Sequence, residues 1–181
     1  MKYYAIHVLT DFEDEYVKRL TPHLNGKRVF SPKRMLTIRR RGVSKRETSP
    51  VFPGYVFIES EDLLSDLDTY WAARRTTGFI RFLRDNIAPL PLSDQDRHLL
   101  LHFMSFGEYA DTSKVRFDEN ERIVVLEGPL KGLEGRIVKV NRRRGRAKVA
   151  LDICQTGFLI DLGFEAVERI TETGGEANEG S

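Results

Sequence analysis

Six glycines, at positions 128, 132, 135, 145, 157 and 163, break up the later part of this chain and limit what it can fold into. Between them lie short runs rich in β-forming residues, RIVVLE, GRIVKV, AKVALDI and FLIDL. A helix through this region would meet a glycine every few residues, each costing ~1 kcal/mol relative to alanine. Short strands joined by glycine turns avoid that cost, which predicts a small β-barrel over residues 117–172.

The earlier part follows different rules. In Lys2–Leu9, Tyr4, Ile6 and Val8 share one face of a strand, and Tyr3, Ala5 and His7 share the other. Thr10 and Glu13 have the spacing of a capping box. Phe12, Tyr16, Val17, Leu20 and Leu24 then give a helix its apolar stripe, and Asn25-Gly26 ends it. The stretch from Arg28 to Ser60 reads as strand, long basic hairpin and strand, with an exposed tip from Arg39 to Ser49. Ser60 is expected to open a second helix bearing Leu63, Leu67, Tyr70 and Trp71. TTGFIRFLR supplies a further strand, and Ser93 with Asp96 caps a third helix bearing Leu99, Leu100, Phe103 and Met104. GEYADTSKVR, residues 107–116, has no periodicity. The expected layout is α+β, with a mixed domain over 1–107, a linker over 108–116, the barrel over 117–172 and a disordered tail over 173–181.

Little in the chain points to catalysis. His98 and His102 stand one helical turn apart, but no acidic or thiol ligand accompanies them, so no metal site is expected. Cys154, the single cysteine, has no neighbouring histidine. GPLKGLEG lacks the Gly-Lys-Ser/Thr ending of a phosphate loop and leads into a strand. Neither catalytic residues nor a cofactor are expected. No apolar run reaches the ~18 residues a membrane span needs, and the start lacks a secretory pattern. With one cysteine, a cytoplasmic monomer that does not touch a membrane is the expectation.

A net charge of +2 conceals a concentrated positive edge. Arg136, Lys139, Arg142, Arg143, Arg144, Arg146 and Lys148 stand within thirteen residues without an acid among them. Val138 and Val140 are expected to alternate inward on one strand, and Val149 and Leu151 on the next. That leaves the basic side chains outside, around a tip from Asn141 to Gly145. In SPVFPGYVFIE, a proline within a strand marks an edge, and the surplus of aromatics predicts an exposed patch for a partner.

That stretch also carries a resemblance. YYAIH at the start, FPGYV in the first domain, ENERIVVLEGPLKGLEGRIVKV and DLGFEAVERI stand in the order found in the NusG family of bacterial transcription elongation factors. The resemblance spans residues 2–172. It implies an N-terminal domain with a central antiparallel sheet and flanking helices, and a C-terminal SH3-like, five-stranded KOW barrel. It implies docking of the first domain on the clamp helices of the RNA polymerase largest subunit. Phe52, Pro53, Tyr55, Phe57, Phe79 and Phe82 would form that surface, with Tyr3, Ala5 and His7 at its margin. Arg74 and Arg75 fall where relatives approach non-template DNA.

General members of the family bind ribosomal protein S10 or Rho through a loop close to Ile-Phe-Gly-Arg. Here that loop is Ile153-Cys154-Gln155-Thr156, and the missing aromatic and arginine speak against both partners. The dense arginines and the altered loop are most similar to the LoaP subgroup of antiterminators, which implies that the seven basic residues bind a structured RNA, such as a leader hairpin. Guanidinium groups suit that target because they bridge phosphates bidentately. Two other readings stay open, a general elongation factor acting through protein contacts and a ribosome-associated KOW protein.

Overall fold

The structure is a computed structural model and describes residues 1–167. The tail expected to be disordered, 173–181, lies outside the described residues, as do the last five of the expected barrel.

Strand β1 (Lys2–Val8) runs through the middle of the first sheet and α1 (Glu13–Leu20) follows it. A short β2 (Val29–Phe30) leads into β3 (Lys33–Arg40) and β4 (Val43–Pro50), then β5 (Tyr55–Ser60). Helix α2 (Leu67–Arg75), strand β6 (Phe79–Phe82) and helix α3 (Asp94–Met104) complete the domain. The sheet order is β2-β5-β1-β6, antiparallel throughout. Alternation divides its side chains between two cores. Tyr4, Ile6, Val8, Val56 and Ile58 pack with Tyr16, Leu20 and Ala73 from α1 and α2. Ala5, Tyr55 and Phe57 face the opposite way, toward α3.

Local patterns identified the helices better than their ends. Ser93 caps α3 as expected, its hydroxyl accepting from the Asp96 amide at 3.2 Å. Ser60, however, ends β5, and α2 begins seven residues later, with its N-cap Asp66 accepting from the Thr69 amide. The capping box does not form either. Phe12 occupies the N-cap without a side-chain bond, and the buried Glu13 carboxylate accepts from the Gly54 amide at 2.5 Å. The β3–β4 ribbon is paired to its end, where Arg41 and Gly42, with φ of 49° and 82°, make a tight hairpin turn.

The second domain is a five-stranded barrel sheet of β7 (Ser113–Phe117), β8 (Ile123–Glu127), β9 (Ile137–Asn141), β10 (Arg146–Ile153) and β11 (Thr156–Ala166), in the order β8-β7-β11-β10-β9. Two expectations are corrected here. The segment read as a linker, 108–116, holds the first four residues of β7, and Ala110 before it exchanges backbone hydrogen bonds with Lys33 and Met35 of β3. Polarity hid both, because backbone pairing makes no demand on side chains. Val138 points outward, 58% exposed, because the ladder slips between Lys148 and Val149 and leaves it opposite no partner.

Candidate nucleic-acid interface and a covered aromatic face

The β9–β10 hairpin carries the basic cluster, and its tip is built by local hydrogen bonds. The Asn141 side chain accepts from the Arg144 amide at 3.0 Å, and the Gly145 amide donates to the Arg142 carbonyl at 3.1 Å. Gly145 is required: its φ is +60°, and a Cβ there would lie 2.6 Å from the Phe164 carbonyl oxygen. The turn therefore presents its arginines against the rest of the barrel at a set angle.

The seven basic residues do not form one surface. Arg142 lies over the Phe117 ring, 3.7 Å from its centroid, and pairs with Glu121. Arg146 is half-buried; it donates to the Thr37 carbonyl of β3 at 2.8 Å and lies 3.8 Å from Asp161. Lys148 pairs with the same carboxylate at 3.2 Å. Arg136 sits in a short 3-10 turn before β9. Among the described residues, Arg143 and Arg144 are exposed and have no ion-pair partner. They open into a cleft of ≈ 840 Å³ whose other wall is the β3–β4 ribbon, with Arg39 and Arg40. No carboxylate lines it. Lys139 lines a smaller adjoining recess with Arg144, Lys148 and Asp161. Such a concentration of uncompensated positive charge attracts a polyanion.

The aromatic residues are arranged otherwise than expected. Phe52 and Phe57 are completely buried, and Tyr55 is 5% exposed. Pro53 lies in the turn before β5, and β5 is an interior strand, so the proline marks no edge. No exposed patch exists here because the second domain covers it. The Phe158 ring meets Phe52 and Tyr55 edge-on, with centroids 5.7 Å and 5.1 Å away, and the Tyr55 hydroxyl donates to Thr156 Oγ1 at 2.9 Å. One apolar cluster runs from Phe52 and α3 into the barrel. The hairpin turn that enters this contact, Cys154-Gln155, has φ of 50° and 62°, and burial raises the Cys154 thiol pKa to about 12.

Other expected contributors divide between the sheet's two sides. Tyr3 packs at the covered face with Phe30, and His7 stacks on Tyr55 at 5.4 Å. Burial, helped by the charge of Arg81, holds the His7 pKa below its ordinary value. Phe82 is buried on the opposite side, stacked on Tyr70, and Phe79 packs beside it. Neither belongs to the Tyr55 surface. Arg74 is held by the Tyr70 hydroxyl and the Asn86 carbonyl, whereas Arg75 is exposed over Trp71. His102 bonds the Pro129 carbonyl across the domain boundary at 2.7 Å. Sequence reasoning missed that role, and it missed the ribbon arginines as partners of the basic hairpin. Their shared positive sign was visible, but their proximity was not.

The profile described as "Transcription termination factor nusG" matches residues 1–101, from β1 into α3, and a KOW motif matches residues 119–149. The chain belongs to the NusG family. NusG-family membership accounts for the paired N-terminal sheet domain and KOW barrel, and the arginine tip lies inside the KOW match. The chain is 26% identical over 179 residues to the transcription termination/antitermination protein NusG of Thermus thermophilus, covering 92% of this chain and 97% of that protein. It is 25% identical over 184 residues to the protein of the same name in Xylella fastidiosa, covering 93% and 98%. A solved structure titled "Domain interaction in Thermotoga maritima NusG" aligns with a TM-score of 0.47 at 15% identity, over 90% of this chain and 93% of that one.

Proposed function

We propose that this NusG-family chain is a specialised elongation and antitermination factor of the LoaP kind, binding a structured RNA through the KOW hairpin and RNA polymerase through its N-terminal domain. The observation that carries this reading is the pair Arg143 and Arg144, exposed on a rigid turn in a cleft without a carboxylate. Folded RNA exposes loops and 2′-hydroxyls that such a turn can contact. The 153–156 turn, Ile153-Cys154-Gln155-Thr156, has neither an aromatic nor an arginine, which supports the same reading over one that uses this turn for ribosomal protein S10 or Rho.

Polymerase docking uses the covered face, with Phe52, Tyr55 and Phe57 at its centre, and requires the second domain to move away. Arg75 is the better of the two candidates for non-template DNA, because Arg74 is already engaged. The relatives' names favour a second reading, a general NusG factor working through protein contacts, in which RNA binding is indifferent to the arginines.

The full chain carrying Arg143→Glu and Arg144→Glu separates the two. The expected result is loss of binding to a labelled G·C-rich RNA stem-loop with retained binding to core polymerase. Unchanged RNA affinity would overturn the RNA reading.

A further inference from the structure

We infer that the RNA site is composite, with the β3–β4 ribbon of the N-terminal domain forming half of it. This rests on the RNA reading above and extends it to residues that lie outside the KOW domain. Arg39 and Arg40 come from the ribbon end, Arg143, Arg144 and Arg146 from the hairpin, and all five line the same cleft. Fixed contacts hold the two walls in register. Arg146 donates to Thr37 of the ribbon, Arg34 donates to the Asp161 carbonyl of β11, and Arg46 of β4 pairs with Asp111 at 2.5 Å. Each wall thus keeps some arginines for structure and leaves others free. Arg39, Arg40, Arg143 and Arg144 are exposed and form no ion pair among the described residues.

Arg146 has Asp161 beside it, but the other four guanidinium groups around the cleft repel one another, and no carboxylate in the lining offsets them. Phosphates do. The volume of ≈ 840 Å³ falls within the range of small-ligand pockets, ~300–1,000 Å³. It can take in a short piece of one strand and is too small to enclose a duplex. Thr37, Ser44 and Asn141 add hydroxyl and amide groups to the same walls, which suits a splayed RNA loop with its 2′-hydroxyls and base edges. The occupant is the single-stranded loop of a folded RNA, gripped from both domains.

The test compares charge reversals in the full chain by fluorescence anisotropy, with a labelled RNA stem-loop and a labelled DNA duplex. Arg39→Glu with Arg40→Glu is set beside Arg143→Glu with Arg144→Glu. Lys18→Glu with Arg97→Glu, on exposed positions outside the cleft, carries the same charge change as a control. The ribbon pair is expected to weaken RNA binding by roughly tenfold or more, and to lower the salt slope by about 0.7 per lost contact. The control is expected to change little. Loss in the hairpin pair with none in the ribbon pair would overturn the composite site and leave the KOW site standing. No loss in either would remove both, and a loss in the control equal to that in the ribbon pair would reduce the effect to net charge. Preference for the DNA duplex would overturn the single-strand assignment. Circular dichroism of each variant checks the fold, and since the ribbon pair sits at an exposed end, an altered spectrum there would also count against the inference.

Discussion

Glu13 shows what one residue does and how far its role can be read in advance. Its spacing from Thr10 suggests a cap, yet its carboxylate reaches the Gly54 amide, in the turn that feeds Phe52 and Tyr55 into the covered face. Capping boxes are read over four residues, and this bond closes over forty-one. Nothing local distinguishes them. Gly54 has φ of +82°, so the turn needs both the glycine and an acceptor for its buried amide. Glu13→Ala leaves that amide unpaired and is expected to cost ~1–3 kcal/mol in urea unfolding. Glu13→Gln keeps an acceptor oxygen and is expected to lose less. Equal stability of wild type and Glu13→Ala would show that the bond does not hold the turn. The basic residues make the same point: their charge was legible, but Arg142 is spent on Phe117 and Glu121, and Arg146 on Thr37.

Among the elements, the strands of the barrel were legible because glycine turns and alternation recur every few residues, and those signals are local. Val138 was not, since a ladder slip is a property of two strands together. The β10–β11 hairpin was read as a loop with altered chemistry, whereas it is the element that closes the aromatic face. Phe158 is half-buried near the start of β11, on the strand face that carries Ile160 and Leu162, and its ring reaches past the barrel to Phe52 and Tyr55. Phe158→Ala is therefore expected to loosen the domains while leaving the barrel folded. If polymerase docks on the covered face, affinity for core polymerase should rise, by up to tenfold for each ~1.4 kcal/mol of domain contact removed. Reduced or unchanged polymerase binding, with the domains shown to be parted, would place the docking surface elsewhere. The proline was misread as an edge signal, since Pro53 lies in the turn before an interior strand, and the surplus aromatics were read as exposed because a sequence does not say what covers a face.

At the scale of the molecule, the two proposed sites make opposite demands on one equilibrium. The composite cleft exists while the ribbon and the hairpin stand together, and Tyr55 is free only when they part. A ligand shifts such an equilibrium by its differential affinity for the two arrangements. RNA held by Arg39, Arg40, Arg143 and Arg144 favours the closed one; polymerase on Phe52 and Tyr55 favours the open one. Opening leaves the RNA on Arg143 and Arg144 with the ribbon contacts gone, so polymerase docking trades a two-sided grip for a one-sided one. The coupling is reciprocal: the factor by which saturating RNA weakens polymerase binding must equal the factor by which polymerase weakens RNA binding. Titrating core polymerase against the full chain, with and without the RNA stem-loop, is expected to give a weaker affinity when RNA is present. Arg39→Glu with Arg40→Glu should remove that difference, because RNA then has no preference for the closed arrangement. RNA that strengthened polymerase binding in the wild-type chain would mean that the site is read best with the domains apart, and the cleft between them would then be a consequence of domain contact alone.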